Sequence, residues 1–295
     1  MNKNIFWICS YPKSGNTLIR AILTGLFFSN DGVVNFRDMR HIGLFETTRR
    51  LNFIKSINEK DFYNLGDLRI LSKYWHKIQT NQELRIEKGF GFLKTHSCLV
   101  SVKNNLFTSK DITKGYIYVV RDPRDLSISW AHHSNYSIDQ SIDFLSNPLS
   151  VLKWINKSKY SIIPKNIFPL QFVSSWSEHV KSWTENDIDV PKLIIKYEDL
   201  ITNKTFIIKK IINFFDKYFK VKIDNSDKRI ENILKTTSFS YMKNMEAKNS
   251  FDEAMPWVDF FREGKKEQWK KILTKEQKMK IEKNFKNYML KFGYD

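Results

Sequence analysis

The chain has 295 residues, 41% hydrophobic and 15% aromatic, which suits one large packed α/β domain and excludes a disordered chain. Its net charge is +17, and the last 95 residues alone carry about +9 (22 basic against 13 acidic), a field that favours multiply charged nucleotides, polyanions or acidic membranes. No apolar run approaches the roughly 18 residues of a membrane span, the first apolar stretch is too short for a secretory signal, and two cysteines, Cys9 and Cys98, make no disulfide framework, so a cytoplasmic protein with both thiols in its core is expected.

Residues 5–9 are an apolar run that predicts a buried strand. Tyr11-Pro12-Lys13-Ser14-Gly15-Asn16-Thr17-Leu18 follows. Pro12 stops the strand, and Gly15 permits a tight turn. Apolar positions at helical spacing then predict a helix over residues 18–28. The amides of Ser14 to Thr17 are expected to face one concavity at that helix N-terminus, where unpaired N–H groups and the helix dipole favour an anion. Lys13 adds a full charge at the edge. The nucleotide-triphosphate loop G-x-x-x-x-G-K-[ST] is a different pattern, because here the lysine precedes the only glycine of the turn.

The stretch 30–90 carries no assignable pattern. Residues 90–94 predict a second strand, ending in Lys94-Thr95-His96. A histidine just past a strand end of an α/β sheet stands where ligands bind. Its imidazole titrates near neutrality and is suited to take a proton from an attacking hydroxyl. Residues 116–120 predict a third strand, running through Arg121-Asp122-Pro123-Arg124-Asp125 into a helix that holds Ser129. Ser129 falls about two helical turns beyond Arg121. An arginine fork with a serine hydroxyl suits a phosphate; the alternative is a surface turn closed by Arg121–Asp125 or Arg124–Asp122 ion pairs. The stretch 135–170 is again unassigned, and His132, His133 and Tyr136 either line a pocket or cover the helix. Helices over 173–183 and 206–219 flank a fourth strand at 193–196, which ends in Tyr197-Glu198-Asp199. Thr237-Ser238-Phe239 and Phe261-Arg262-Glu263-Gly264 complete the series. Alternating strands and helices, with no repeat and no Pro/Gly-rich linker, predict a single three-layer α/β/α domain over residues 1–295, built on a central parallel sheet.

In their order, from residue 5 to about 275, these segments resemble the PAPS-dependent sulfotransferases, whose donor is 3′-phosphoadenylyl sulfate. Tyr-Pro-Lys-Ser-Gly-Asn-Thr is similar to the family's 5′-phosphosulfate loop, Lys-Thr-His to the segment of its catalytic base, and Arg121 with Ser129 to its 3′-phosphate motif. The resemblance implies a P-loop-like sulfotransferase fold, PAPS as co-substrate and no metal. It implies that His96 is the general base, that Lys94 stabilises charge, that Lys13 supports the leaving group, and that Ser129 restrains Lys13 until the acceptor arrives. Donor contacts are implied for Lys13, Ser14, Gly15, Asn16, Thr17, Leu18, Arg121, Ser129, Tyr197 (facing the adenine), Thr237, Phe239, Arg262, Glu263 and Gly264.

The chain departs from the family at three places. Leu18 stands where a tryptophan often stacks on adenine, and Glu263 stands where a lysine is common. Thr274-Lys275 and Met279 replace the family's dimer signature, so that dimer is not expected. The acceptor is expected to be a hydroxyl or amine on a small molecule, lipid or saccharide, with no specific nucleic acid as partner. One alternative is a P-loop kinase or NTPase, with magnesium on Thr17 and Asp122. Another is a non-catalytic polyanion binder using the basic C-terminal third, with steep salt dependence.

Overall fold

The computed structural model describes residues 4–47, 50, 57–80, 84–153, 170–249, 251, 253–254 and 257–294. Six strands form the main sheet: β1 (Ile5–Ser10), β2 (Gly43–Leu44), β3 (Ile86–Glu87), β4 (Phe90–Thr95), β5 (Thr113–Val120) and β6 (Lys192–Lys196). Their order is β6-β5-β1-β4-β2, every neighbour parallel, with β3 antiparallel on β4. The four strands read from the sequence are therefore the four long ones, and β1 lies at the centre.

Side-chain alternation builds the layers. From β1 and β5, Phe6, Ile8, Ile117 and Val119 pack on one face against helices α1 (Asn16–Phe27), α6 (Lys204–Phe219) and α7 (Asp227–Thr236). On the other face, Trp7, Cys9, Tyr116 and Tyr118 join one cluster with Trp176, Trp183 and Phe285. These come from α4 (Trp176–Thr184) and α9 (Lys275–Lys291). Each fully buried large apolar side chain contributes on the order of 1.5–3 kcal/mol. Both thiols lie in buried positions and are free; burial pushes both well above the ordinary thiol range.

Two stretches that lacked a sequence pattern contain structure. After α2 (Pro123–Ser134), Ser137 and Gln140 form a capping box that starts α3 (Ile138–Ser146). Val151–Lys153 then pairs antiparallel with Leu170–Phe172. The helix expected at 173–183 begins at Trp176, because Ser175 accepts the Glu178 N–H as its cap while Val173 N–H goes to the Ser150 carbonyl. The remaining elements near the cavity are α5 (Tyr197–Thr202) and α8 (Phe239–Asn249). No helix among the described residues is long and apolar enough to cross a membrane.

The pairing has a consequence for chemistry. Cys9 is level with Thr95 on β4 and with Tyr118 on β5, so the loop after β1, His96 after β4 and Arg121 after β5 emerge side by side. That is the edge where open α/β sheets bind ligands.

Candidate active site

The loop after β1 is held in an unusual backbone shape. Lys13 has φ 64 and Gly15 has φ 105, both in the left-handed region that non-glycine residues seldom occupy. A Cβ on Gly15 would lie 2.7 Å from a Tyr197 ring carbon, so glycine is required twice over, for conformation and for space. Asn16 ties the loop to β1 by donating Nδ2 to the Ile8 carbonyl at 3.1 Å. Gly15 caps α1 without a side chain. Among the described residues, the N–H groups of Gly15, Asn16 and Thr17 have no backbone partner. The expectation for Ser14 needs correction: its N–H bonds to the Tyr11 carbonyl at 3.3 Å to close the turn, and its side chain is fully buried beneath the loop. The cradle therefore begins at Gly15.

A single cavity of about 740 Å³ gathers the rest. Lys13, Gly15, Asn16, Thr17, Leu18, Lys94, His96, Arg121, Ser129, Tyr197, Thr237, Phe239, Arg262, Glu263 and Gly264 all line it, and of the catalytic and donor-contact residues implied by the resemblance only Ser14 does not. Burial and the nearby Arg121 hold Lys13 down to about 7, and its ammonium rests 3.6 Å from the Phe260 ring centroid. Lys94 is buried, which lowers it to about 8 against the raising effect of Glu253.

His96 has a defined tautomer. Its Nδ1 lies 2.8 Å from the Ser10 carbonyl, which only accepts, so Nδ1 carries the proton and Nε2 the lone pair. Burial, reinforced by Lys94, drops the ring to about 3, so it is neutral at physiological pH. His179, unremarked as a site residue in the sequence, supports it from below. His179 Nε2 donates to the His96 carbonyl at 3.1 Å, and its Nδ1 accepts from the Tyr118 hydroxyl at 2.9 Å.

The start of α2 separates two arginines by task. Arg124 pairs with Asp122 at 2.8 Å and with Glu282 at 2.8 Å, and lies over the Trp269 ring. It is structural, as the ion-pair reading of this turn had it for Arg124–Asp122. Asp125 is not Arg121's partner; its carboxylate accepts the N–H groups of Glu267 and Trp269. Arg121 instead donates Nη1 to the Lys13 carbonyl at 2.9 Å, stacks 4.2 Å from the Tyr197 centroid, and keeps a buried Nε with no hydrogen-bond partner among the described residues. Tyr197 is thus inserted between Gly15 and Arg121, with its ring turned to both.

The C-terminal segment closes the cavity. Arg262 donates to Gln268 at 2.7 Å and pairs with Glu263 at 3.1 Å. Gly264 has φ 62, and the space where its Cβ would stand is filled by the Phe239 ring. Thr237 bonds back to the Ile233 carbonyl. Farther along, Trp130, Phe144, Leu152 and Trp257 give the cavity an aromatic and apolar end, where His133 and Tyr136 are also found and His132 is not. Glu253, which no motif announced, pairs with both Arg20 and Lys94. It was missed because its partners come from segments more than 150 residues away (Lys94) and 233 residues away (Arg20).

Among the described residues the cavity therefore offers three N–H groups without a backbone partner, three cations outside the described ion pairs (Lys13, Arg121 and Lys204) and a neutral histidine. A family model for the sulfotransferase domain matches residues 3–293. This chain belongs to the sulfotransferase family. It is 25% identical to the amine sulfotransferase of Oryctolagus cuniculus over 98% of its own length and 83% of that protein's. It is 26% identical to the 3-beta-hydroxysteroid sulfotransferase of Cavia porcellus over 73% of its length and 69% of that protein's. Its fold is like that of a mouse sulfotransferase crystallised with PAP, with a TM-score of 0.59 at 20% identity, covering 98% of this chain and 84% of that one. The resemblance read from the motifs is borne out, as is the α/β fold with its central parallel sheet.

Proposed function

We propose that this sulfotransferase moves the sulfuryl group of PAPS to a hydroxyl or amine of a small, largely apolar or aromatic acceptor, with His96 as base. The observation that carries the reading is the meeting, in one cavity, of neutral His96 with the open N–H groups of Gly15, Asn16 and Thr17 and the cations Lys13 and Arg121. The residues fit a donor with two separated anionic ends. Arg121 Nε is buried and unsatisfied among the described residues, as an arginine awaiting an anion would be. The mouse structure with PAP and the two mammalian enzymes support the donor and a small-molecule acceptor.

In the proposed step, Nε2 of His96 takes the acceptor proton as its oxygen or nitrogen attacks sulfur. The new bond to sulfur forms while the bond from sulfur to the bridging oxygen breaks in line, leaving PAP and a sulfated acceptor. Lys13 and the three N–H groups meet the charge that develops on the departing 5′-phosphate, and Lys94 adds a second cation. Arg121, Ser129 and Arg262 hold the 3′-phosphate. Glu263 is paired with Arg262 and so tempers the charge of that end. Leu18, Thr237 and Phe239 line the base, with a thinner stack at Leu18 than a tryptophan would give. A base of this kind contributes roughly 10²–10⁴-fold.

Calorimetry with PAP, AMP and ATP tests the donor site: PAP must bind far more tightly than either, and equal affinity for AMP removes the reading. Activity that a chelator abolishes would favour the kinase alternative instead. In that alternative Asp122 would ligate magnesium, but its carboxylate is taken up by the Arg124 side chain and by the first turn of α2.

A further inference from the structure

Glu253 sits between two buried cations at the floor of the cavity. Its Oε2 is 2.6 Å from Lys94 Nζ, and its Oε1 accepts from Arg20 Nη1. The side chains of Lys94, Arg20 and Glu253 are 3%, 6% and 14% exposed. Arg20 is fixed further, donating Nε to the Ile42 carbonyl at 2.8 Å and Nη2 to the Met39 carbonyl at 3.3 Å. Both cations thus belong to firmly packed parts of the fold, α1 and the end of β4. The carboxylate comes from the segment beyond α8.

That same segment supplies Phe260, Phe261 and Arg262 to the cavity wall. Phe251 and Phe261 pack on Phe36, and Phe260 packs on both of them. Glu246 accepts the N–H groups of Phe260 at 2.7 Å and of Phe261 at 3.0 Å. The Phe260 ring lies under the Lys13 ammonium. One end of the segment is therefore held by Glu246 and the other by the Arg20–Glu253–Lys94 triad.

We infer that Glu253 is a positioning residue for sulfuryl transfer: by bridging Arg20 and Lys94 it docks the C-terminal segment over the donor cavity and keeps the Lys94 ammonium in place. This rests on the proposed reading of the site. Removing one partner of a buried pair leaves the other charge uncompensated. Without the carboxylate, Arg20 and Lys94 would face each other in a dry site, and of the two only lysine gives up its proton readily. Burial already lowers Lys94; Glu253 opposes that and Arg20 adds to it, with Glu46 a further raising charge. His96 and Lys13 complete the titratable groups that feel Lys94. Glu253 itself is disfavoured as an anion by burial, yet Arg20 and Lys94 outweigh this and hold it well below the usual carboxylate range.

The test uses Glu253→Gln in the full chain, with nitrogen-detected titration of Lys94 and amide hydrogen exchange over residues 257–264. The Lys94 midpoint should fall by at least one pH unit, and exchange at Phe260 and Phe261 should rise at least tenfold. A Lys94 midpoint that stays put, or unchanged exchange, overturns the inference. Should Glu253→Gln not fold, Glu253→Asp takes its place, since a carboxylate shortened by one methylene keeps the charge but cannot span both Arg20 and Lys94. Exchange at Phe260 and Phe261 must then rise at least threefold, and an unchanged rate overturns the docking role. Calorimetry of the wild-type chain with PAP reports separately on the donor site, so a failure of that reading is told apart from a failure of the docking role.

Discussion

At the scale of single residues, the Ser10 carbonyl decides what His96 does. By accepting the Nδ1–H hydrogen bond at 2.8 Å it leaves the lone pair on Nε2, and burial keeps the ring neutral down to about 3. His96→Ala should therefore retain PAP binding within about twofold and lose transfer by roughly 10²–10⁴-fold, measured with sulfate-labelled donor. Retained turnover would refute the base assignment. The pH profile should show no acid limb between pH 5 and 7, because a base lowered to about 3 loses its lone pair only as pH falls towards that value. Lys13 works in the opposite sense. Lowered to about 7 by burial and Arg121, it loses its charge as pH rises through that value in the free enzyme. So kcat/KM for the donor should decline above about pH 7, while kcat, read with the anionic donor bound, should decline only at higher pH. Lys-Thr-His after a strand made His96 legible in the sequence. Its tautomer was not, because the deciding carbonyl lies 86 positions earlier.

Among elements, β1, β4 and β5 were legible because they are buried on both faces and carry apolar runs, whereas the edge strand β6 buries one face and was legible only through its short Leu193-Ile194-Ile195 core. The helix at 138–146 was legible in principle through Ser137 and Gln140, but its apolar face is short and the flanking residues are polar. Cavity-closing residues such as Glu253 and Phe260 are not written in any local period, since they act through contacts between distant segments. The turn from β1 to α1 carries a prediction of its own. Gly15→Ala places a Cβ 2.7 Å from the Tyr197 ring at φ 105, and a strained backbone of this kind costs about 1–3 kcal/mol. Thermal denaturation should show a lowered Tm, and calorimetry should show at least tenfold weaker PAP binding. A variant with wild-type affinity would mean that the loop is not the 5′ cradle.

For the whole molecule, the charge of +17 acts before any contact is made. A donor with several negative charges should be steered to the cavity, and its association rate should fall several-fold as salt is raised from about 50 to 500 mM. Stopped-flow measurement with PAP checks this. A rate indifferent to salt would mean that most of the lysines only solvate the surface. A non-catalytic polyanion binder predicts something else: heparin or nucleic acid competing with PAP, and no effect of Lys13→Ala or His96→Ala. The two thiols give a control on integrity. Cys9 and Cys98, both buried, should resist thiol reagents in the native state and react on unfolding.

The bond from Arg121 to the Lys13 carbonyl makes one side chain a member of both proposed phosphate subsites. With Tyr197 stacked beneath the guanidinium and against Gly15, the two subsites share a wall as well as a residue. Selectivity among nucleotides then belongs to the pair and to neither phosphate alone. A ligand lacking the 3′ group forfeits its own contact with Arg121 and also leaves the loop around its 5′ group less firmly set, so the penalties for trimming the two ends of the donor should multiply rather than stand apart.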